Sequence, residues 1–131
     1  MGDYADRKTR GRKVMDKLGW SYGSNNPQAR ACPDFWEMTQ GHLMGDVWGR
    51  PGLSLRDREL VTLGVIIGLA RPMGLKTHLR DFAANVGITR EELQEVIIQA
   101  GHYAGWPAAN YAIFQLNEII EDEEKNSTKK K

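Results

Sequence analysis

Two ionisable residues in this chain stand in apolar company. Glu59 shares a helical face with Leu63 and Ile66, and His78 lies on a stripe with Leu75, Leu79, Phe82 and Val86. Burial disfavours the charged form of a group and moves its titration, which suits proton transfer near neutral pH. The same pattern also fits a structural pair, in which a histidine and a carboxyl bond each other because neither can be left buried without a partner. The two stripes lie on consecutive helices joined by a short Pro-Gly connection. Antiparallel packing is therefore expected to bring Glu59 and His78 into hydrogen-bond contact.

Arg56 and Arg58 precede Glu59, and a guanidinium can hold a carboxylate through a planar two-bond fork. They are either clamps for an acidic substrate or solvated first-turn residues paired with Asp57 or a neighbouring subunit. Tyr103 and Trp106 read as wall residues of a pocket, and Gln99 and His102 as rim or interface. Cys32 is the only cysteine, so an intrachain disulfide and a zinc site of paired thiolates are both excluded. No basic residue stands in register to depress its pKa. No glycine-rich loop follows a strand, so no phosphate cradle is expected. No metal site is expected, and cofactor-free or organic-cofactor chemistry remains.

The elements that must carry these residues are helical throughout. A mostly polar helix over about residues 6–18 ends at Gly19, and 21–27 is a loop of Gly, Ser, Asn and Pro. Pro33 starts a second helix with Phe35, Met38, Leu43 and Val47 in near-helical spacing, stopped by Gly49 and Pro51. Ser54 caps the third, which from Leu60 onward is apolar nearly all round. A small monomer can rarely bury such a helix on every side, so partner subunits are expected to cover part of it. A fourth helix runs from about Leu75 to Val86. Thr89 to Glu92 form a capping box with Ile88 and Leu93 as its staple, opening a fifth whose inner face is Leu93, Val96, Ile97, Ala100 and Ala104. A sixth begins near Pro107 and ends near Glu121.

The expected architecture is an all-α, compact bundle of about six helices. It divides into a basic N-terminal helix and loop (1–26), a main domain (27–121) and a loose charged tail (122–131) that lacks large apolar residues to offset its ordering entropy.

With 131 residues, 40% hydrophobic and 27% charged, the chain has the composition of one globular domain rather than of a disordered or membrane protein. Its longest apolar run, eleven residues from Leu60 to Ala70, is far short of the ~20 needed to cross a bilayer. The opening segment lacks the apolar core of a secretory signal, so a cytoplasmic location is expected. Net charge is +1, with Arg7, Lys8, Arg10, Arg12, Lys13 and Lys17 near one end and Glu118 and 121–124 near the other. Without a reading motif, the basic stretch is expected to be a solvated, partner-contacting arm rather than a nucleic-acid reader.

Several segments together carry a family resemblance. They are Gly45-Asp46-Val47-Trp48-Gly49-Arg50-Pro51-Gly52-Leu53, Arg56-Asp57-Arg58-Glu59-Leu60-Val61-Thr62-Leu63, His78-Leu79-Arg80, Gly87-Ile88-Thr89-Arg90-Glu91-Glu92 and Tyr103-Ala104-Gly105-Trp106-Pro107-Ala108-Ala109. In order and register, over about residues 34 to 120, the chain resembles the carboxymuconolactone decarboxylase family of the alkylhydroperoxidase D-like superfamily. The resemblance implies an all-helical protein assembled into a trimeric or hexameric ring. It also implies cofactor-independent decarboxylation of a small lactone dicarboxylate, as in conversion of gamma-carboxymuconolactone to beta-ketoadipate enol-lactone in aromatic degradation.

By the same resemblance His78 is the proton donor or oxyanion partner, Glu59 its carboxyl, Arg56 or Arg58 the carboxylate clamp, and Tyr103 and Trp106 the pocket walls. Two departures stand out. Arg71 and Gly74 occupy the positions of the Cys-x-x-Cys of the alkylhydroperoxidase branch, and Gly74 also replaces a glutamate often found four residues before the histidine in the decarboxylase branch. The alternatives implied are a peroxidase-type antioxidant enzyme and a binding protein that has kept the ring without catalysis.

Overall fold

The computed structural model describes residues 3–23 and 25–130. Residues 1, 2, 24 and 131, which belong to the expected arm, loop and tail, lie outside the described residues. All regular structure among the described residues is helical, in seven stretches, and it falls into two compact units, Met1–Arg58 and Glu59–Lys131.

In the first unit, α1 (Tyr4–Leu18) is capped by the Asp3 side chain, which accepts from the Asp6 backbone N–H, and ends at Gly19, whose φ of 78° is left-handed. A short α2 (Pro27–Ala31) follows an Asn26 cap. Then α3 (Pro33–Met38) runs without a break into the π-helix π1 (Thr39–Trp48). Here the expected face is wrong. Phe35, Met38 and Leu43 point to solvent, and Trp36, Gln40, Met44 and Trp48 are buried. Hydrogen bonding to i+5 puts more residues in each turn than an α-helix holds, so the inward stripe repeats every four residues and the 3.6-residue expectation drifts off it.

The basic arm is not free. A Cβ on Gly11 would strike the Gln40 carbonyl, and one on Gly45 would strike the Arg7 carbonyl, so α1 and π1 touch backbone to backbone. Over this crossing Arg7 Nη2 meets Asp46 Oδ2 at 2.7 Å, Arg10 Nη2 meets Asp46 Oδ1 at 3.1 Å, and Lys8 Nζ meets Glu37 Oε1 at 2.8 Å. Arg12 Nε donates to Gln40 Oε1 at 2.9 Å. Arg7, Lys8, Arg10 and Arg12 are thus used within the unit, on acceptors that α3 and π1 present. Val14, Met15 and Leu18 continue the buried stripe that Gly11 opens.

The second unit takes in most of α4 (Leu55–Gly68), whose N-cap Ser54 accepts from the Asp57 N–H at 3.0 Å. Next come α5 (Leu75–Thr77), the π-helix π2 (His78–Phe82) and α6 (Ala83–Asn85) as one stretch, then α7 (Arg90–Ala104) and α8 (Trp106–Lys129). Thr89 Oγ accepts from the Glu92 N–H at 3.1 Å, and Ile88 and Leu93 are buried beside it, as the capping box and staple require. Leu63, Ile67, Leu75, Leu79, Ile97 and Ile119 lead the core.

On α7 the inner positions are Leu93, Ile97 and Gly101, not Ala104. A Cβ on Gly101 would lie 2.7 Å from that of Ala109, so this glycine lets α7 and α8 cross closely. The expected loose tail is also corrected, because α8 continues to Lys129. Extending an existing helix needs no new nucleus, and 122–125 are mostly long, straight side chains suited to it. The Arg90 Nη2 to Glu123 Oε2 contact at 3.0 Å supports the extension.

The backbone contact in the first unit yields a test. Gly45→Ala should cost about 1–3 kcal/mol by overpacking and lower the thermal midpoint by several degrees when followed by circular dichroism. An unchanged midpoint would contradict the close crossing.

Candidate active site

Ser54 fixes where α4 starts, and Glu59 follows one turn in, on the face that continues through Leu63 and Ile67, all three buried. Glu59 is 0% exposed. Facing it, His78 Nδ1 lies 2.9 Å from Oε1 and 3.0 Å from Oε2. An ionised carboxylate only accepts, so in that state Nδ1 carries the proton and Nε2 is the nitrogen left for chemistry. The imidazole, whose side chain is 16% exposed, packs edge-on to Phe82 with ring centroids 4.7 Å apart. The ring is thus partly open to water, with Phe82 packed against it.

Local structure presents this histidine. Gly74 adopts φ 83°, a conformation that favours glycine, and its carbonyl accepts from the His78 N–H at 3.0 Å. A Cβ at position 74 would sit 3.8 Å from His78 Cδ2, so a side chain there would lie along the ring edge. The helix widens to π geometry at His78 itself, a distortion often found at functional positions. Burial pushes the Glu59 carboxyl above the ordinary carboxylate range, and the hydrogen bond and charge of His78 pull it back only in part. A carboxyl held up in this way, on an imidazole with an open second nitrogen, can pass or steady a proton.

The other expected site residues make contacts of their own. Arg56 and Arg58 close the first unit, where Arg58 Nη2 donates to the Arg50 carbonyl at 3.2 Å and ties down the 49–54 loop. Tyr103 is 87% exposed and lines a groove of about 670 Å³ with Leu60, Gly64, Val96 and Ala100, where Glu92 and Glu95 also face; neither Glu59 nor His78 lines it. Trp106 is exposed and packs edge-on to His102 at 5.5 Å. Gly101 points at α8, so Tyr103, about 200° further round α7, must point away from that contact. His102 Nδ1 bonds the Ile98 carbonyl of its own helix at 2.8 Å.

Sequence reasoning passed over the Asp46 cluster, where His42 Nδ1 joins the two arginines at 3.4 Å from Oδ2. The i,i+4 spacing of His42 and Asp46 was the available signal. Among the described residues, no group of three or more His, Cys, Asp and Glu side chains is placed to hold a metal ion. No described helix is long and apolar enough to cross a membrane.

The profile of the carboxymuconolactone decarboxylase family matches residues 33–118, an interval that contains Glu59, His78 and the turn between them. Over 89 residues the chain is 40% identical to the 4-carboxymuconolactone decarboxylase of Acinetobacter baylyi, a stretch covering 68% of this chain and 66% of that protein. Over 78 residues it is 40% identical to nitrosuccinic acid decarboxylase npaB of Metarhizium robertsii, covering 60% of this chain and 54% of that one. The chain therefore spans just under two-thirds of the first relative and little more than half of the second.

The raised Glu59 carboxyl has a measurable consequence. A folded-state pKa above the unfolded value means that the folded protein holds the proton longer, so this group favours folding most below about pH 4 and less as pH rises through its folded pKa. Urea unfolding between about pH 4 and pH 7 should show stability falling more steeply with pH in the native protein than in Glu59→Gln. Parallel profiles would show that the carboxyl keeps its ordinary range.

Proposed function

The chain belongs to the carboxymuconolactone decarboxylase family, and on that footing we propose that its Glu59–His78 pair serves a cofactor-independent decarboxylation of a small dicarboxylic acid. The observation that carries this reading is the double contact of His78 Nδ1 with the buried carboxylate, which commits one ring nitrogen and leaves Nε2 for the substrate. The two relatives' names share one chemistry. In a carboxymuconolactone the conjugated lactone accepts the electron pair of the breaking C–C bond, and in nitrosuccinic acid the nitro group does.

In the proposed step the C–CO₂⁻ bond breaks, carbon dioxide leaves, and its bonding pair moves into the acceptor as an enolate or nitronate. Nε2–H donates a hydrogen bond to the developing oxyanion and then gives its proton to the carbanionic carbon; solvent replaces the proton. Glu59 holds the ring orientation and stabilises the imidazolium form, so it serves as a positioning residue. The lactone dicarboxylate is the substrate that the Acinetobacter relative's name and the extent of identity support best. The peroxidase alternative lacks a thiol at positions 71 and 74, and Cys32 lies in the first unit.

We further propose that a second copy of the chain covers the outer face of α4, giving a trimeric or hexameric ring. Val61, Val65 and Leu69 recur there at four-residue spacing, each more than half exposed, and Phe114 on α8 is 67% exposed. Burying such residues is worth about 1.5–3 kcal/mol apiece.

Both proposals have direct tests. Carbon dioxide release from 4-carboxymuconolactone and from nitrosuccinic acid should be seen with the native protein, and His78→Ala should lower kcat by about 10²-fold or more with helix content unchanged. No turnover of either acid by folded protein would remove the assignment. Sedimentation should give a mass of several chains, and Val65→Lys should shift it toward the monomer. A native monomer would end the ring proposal.

A further inference from the structure

The substrate proposed above carries negative charge, and the second unit holds several cations near His78 in sequence. Most are already engaged. Lys76 Nζ lies 2.6 Å from Glu118 Oε2, Arg80 Nε lies 3.0 Å from Asp81 Oδ1, and Arg90 Nη2 lies 3.0 Å from Glu123 Oε2. In the first unit Arg56 and Arg58 also have partners. Arg71 differs: its side chain is exposed and makes no hydrogen bond or ion pair among the described residues.

The backbone around Arg71 is tied to the end of α4. At the end of α4 the Ala70 N–H bonds the Ile67 carbonyl at 3.0 Å, and the Arg71 N–H bonds the Ile66 carbonyl at 3.1 Å. This paired closure is ordinarily built on glycine, yet Ala70 occupies it at φ 53°, the one described non-glycine residue with positive φ. Strain of that kind tends to be kept where a turn has a task. Pro72 then restricts its own φ, and its carbonyl accepts from the Leu75 N–H at 3.4 Å. The turn ends at Gly74, whose missing side chain leaves the Cδ2 edge of His78 uncovered. One short, braced segment thus begins with an unpaired guanidinium and ends against the imidazole.

We propose that Arg71 is the carboxylate-anchoring residue of the His78 site. Its guanidinium holds the carboxylate that the substrate retains, and the carboxylate to be lost lies toward Nε2. The anchor rests on the decarboxylase reading for its role, but its binding chemistry can be measured without turnover. An acid with two carboxylates engages both ends of the segment, whereas a monocarboxylate engages one.

Succinate serves as the probe, titrated by calorimetry into the full chain and into Arg71→Ala and Arg71→Lys, with circular dichroism confirming unchanged helix content. Native protein should bind succinate, Arg71→Ala should bind it about tenfold or more weakly, and Arg71→Lys should recover part of the loss, since lysine restores the charge without the planar fork. With a turned-over substrate, Arg71→Ala should raise KM and leave kcat within a few-fold. Equal succinate affinity in native protein and Arg71→Ala, or no binding by the native protein, overturns the anchor. Succinate binding that depends on Arg71 without carbon dioxide release would sink the decarboxylase reading and leave the anchor standing. Carbon dioxide release with a KM indifferent to Arg71 would do the reverse.

Discussion

A carboxylate taken wholly out of water is the constraint around which the second unit is arranged. Leaving Glu59 buried and alone would cost several kcal/mol, so the fold must bring it a partner or let it keep its proton. The structure does some of both: His78 meets both oxygens, and burial still holds the carboxyl above its ordinary range. Much else follows from that one contact. The Ser54 cap sets the register of α4, the 69–74 turn sets the approach of the next helix, and Phe82 backs the imidazole from within π2. A one-residue slip in either helix would rotate its side chain about 100° off the shared face.

The first unit meets the same physical problem with the opposite result. Asp46 is also buried, and burial alone would raise its pKa. Two permanently charged arginines and His42 surround it, and their hydrogen bonds and charges hold it below the ordinary carboxylate range. An acid fixed in its charged form by guanidinium groups is a fastener, and here it fastens α1 to π1. An acid held up, with an imidazole on both its oxygens, is poised to respond to a proton. The two environments thus push buried carboxyls in opposite directions, the pattern from which different roles can arise.

The sequence was legible where a signal was local. Ser54, Thr89, Gly19 and Gly87 mark helix ends because caps and left-handed residues act within one turn, and the Glu59–His78 contact followed from two apolar stripes and a short connection. It misled where the winding changed. Nothing in the 33–48 segment announces π geometry, so a stripe drawn at 3.6 residues selected Phe35, Met38 and Leu43, which the structure exposes. Long-range pairing was also invisible: the basic residues of α1 read as a free arm because their acceptors, Glu37, Gln40 and Asp46, lie some thirty residues on. Tyr103, which reads as a pocket wall, does line a groove, but one that neither Glu59 nor His78 lines, and the glycine two residues before it decides which way it points.

The turn that precedes the histidine limits the chemistry open to the Glu59–His78 pair. A buried glutamate and an imidazole with one free nitrogen form a proton-handling frame that does not itself select a reaction. The turn carries arginine at position 71 and glycine at position 74. Glycine cannot crowd the ring edge and arginine cannot be oxidised by a peroxide as a thiol is, so the frame is left with charge and open space. Under the decarboxylation proposed above, such a frame suits an anion that brings its own electron acceptor.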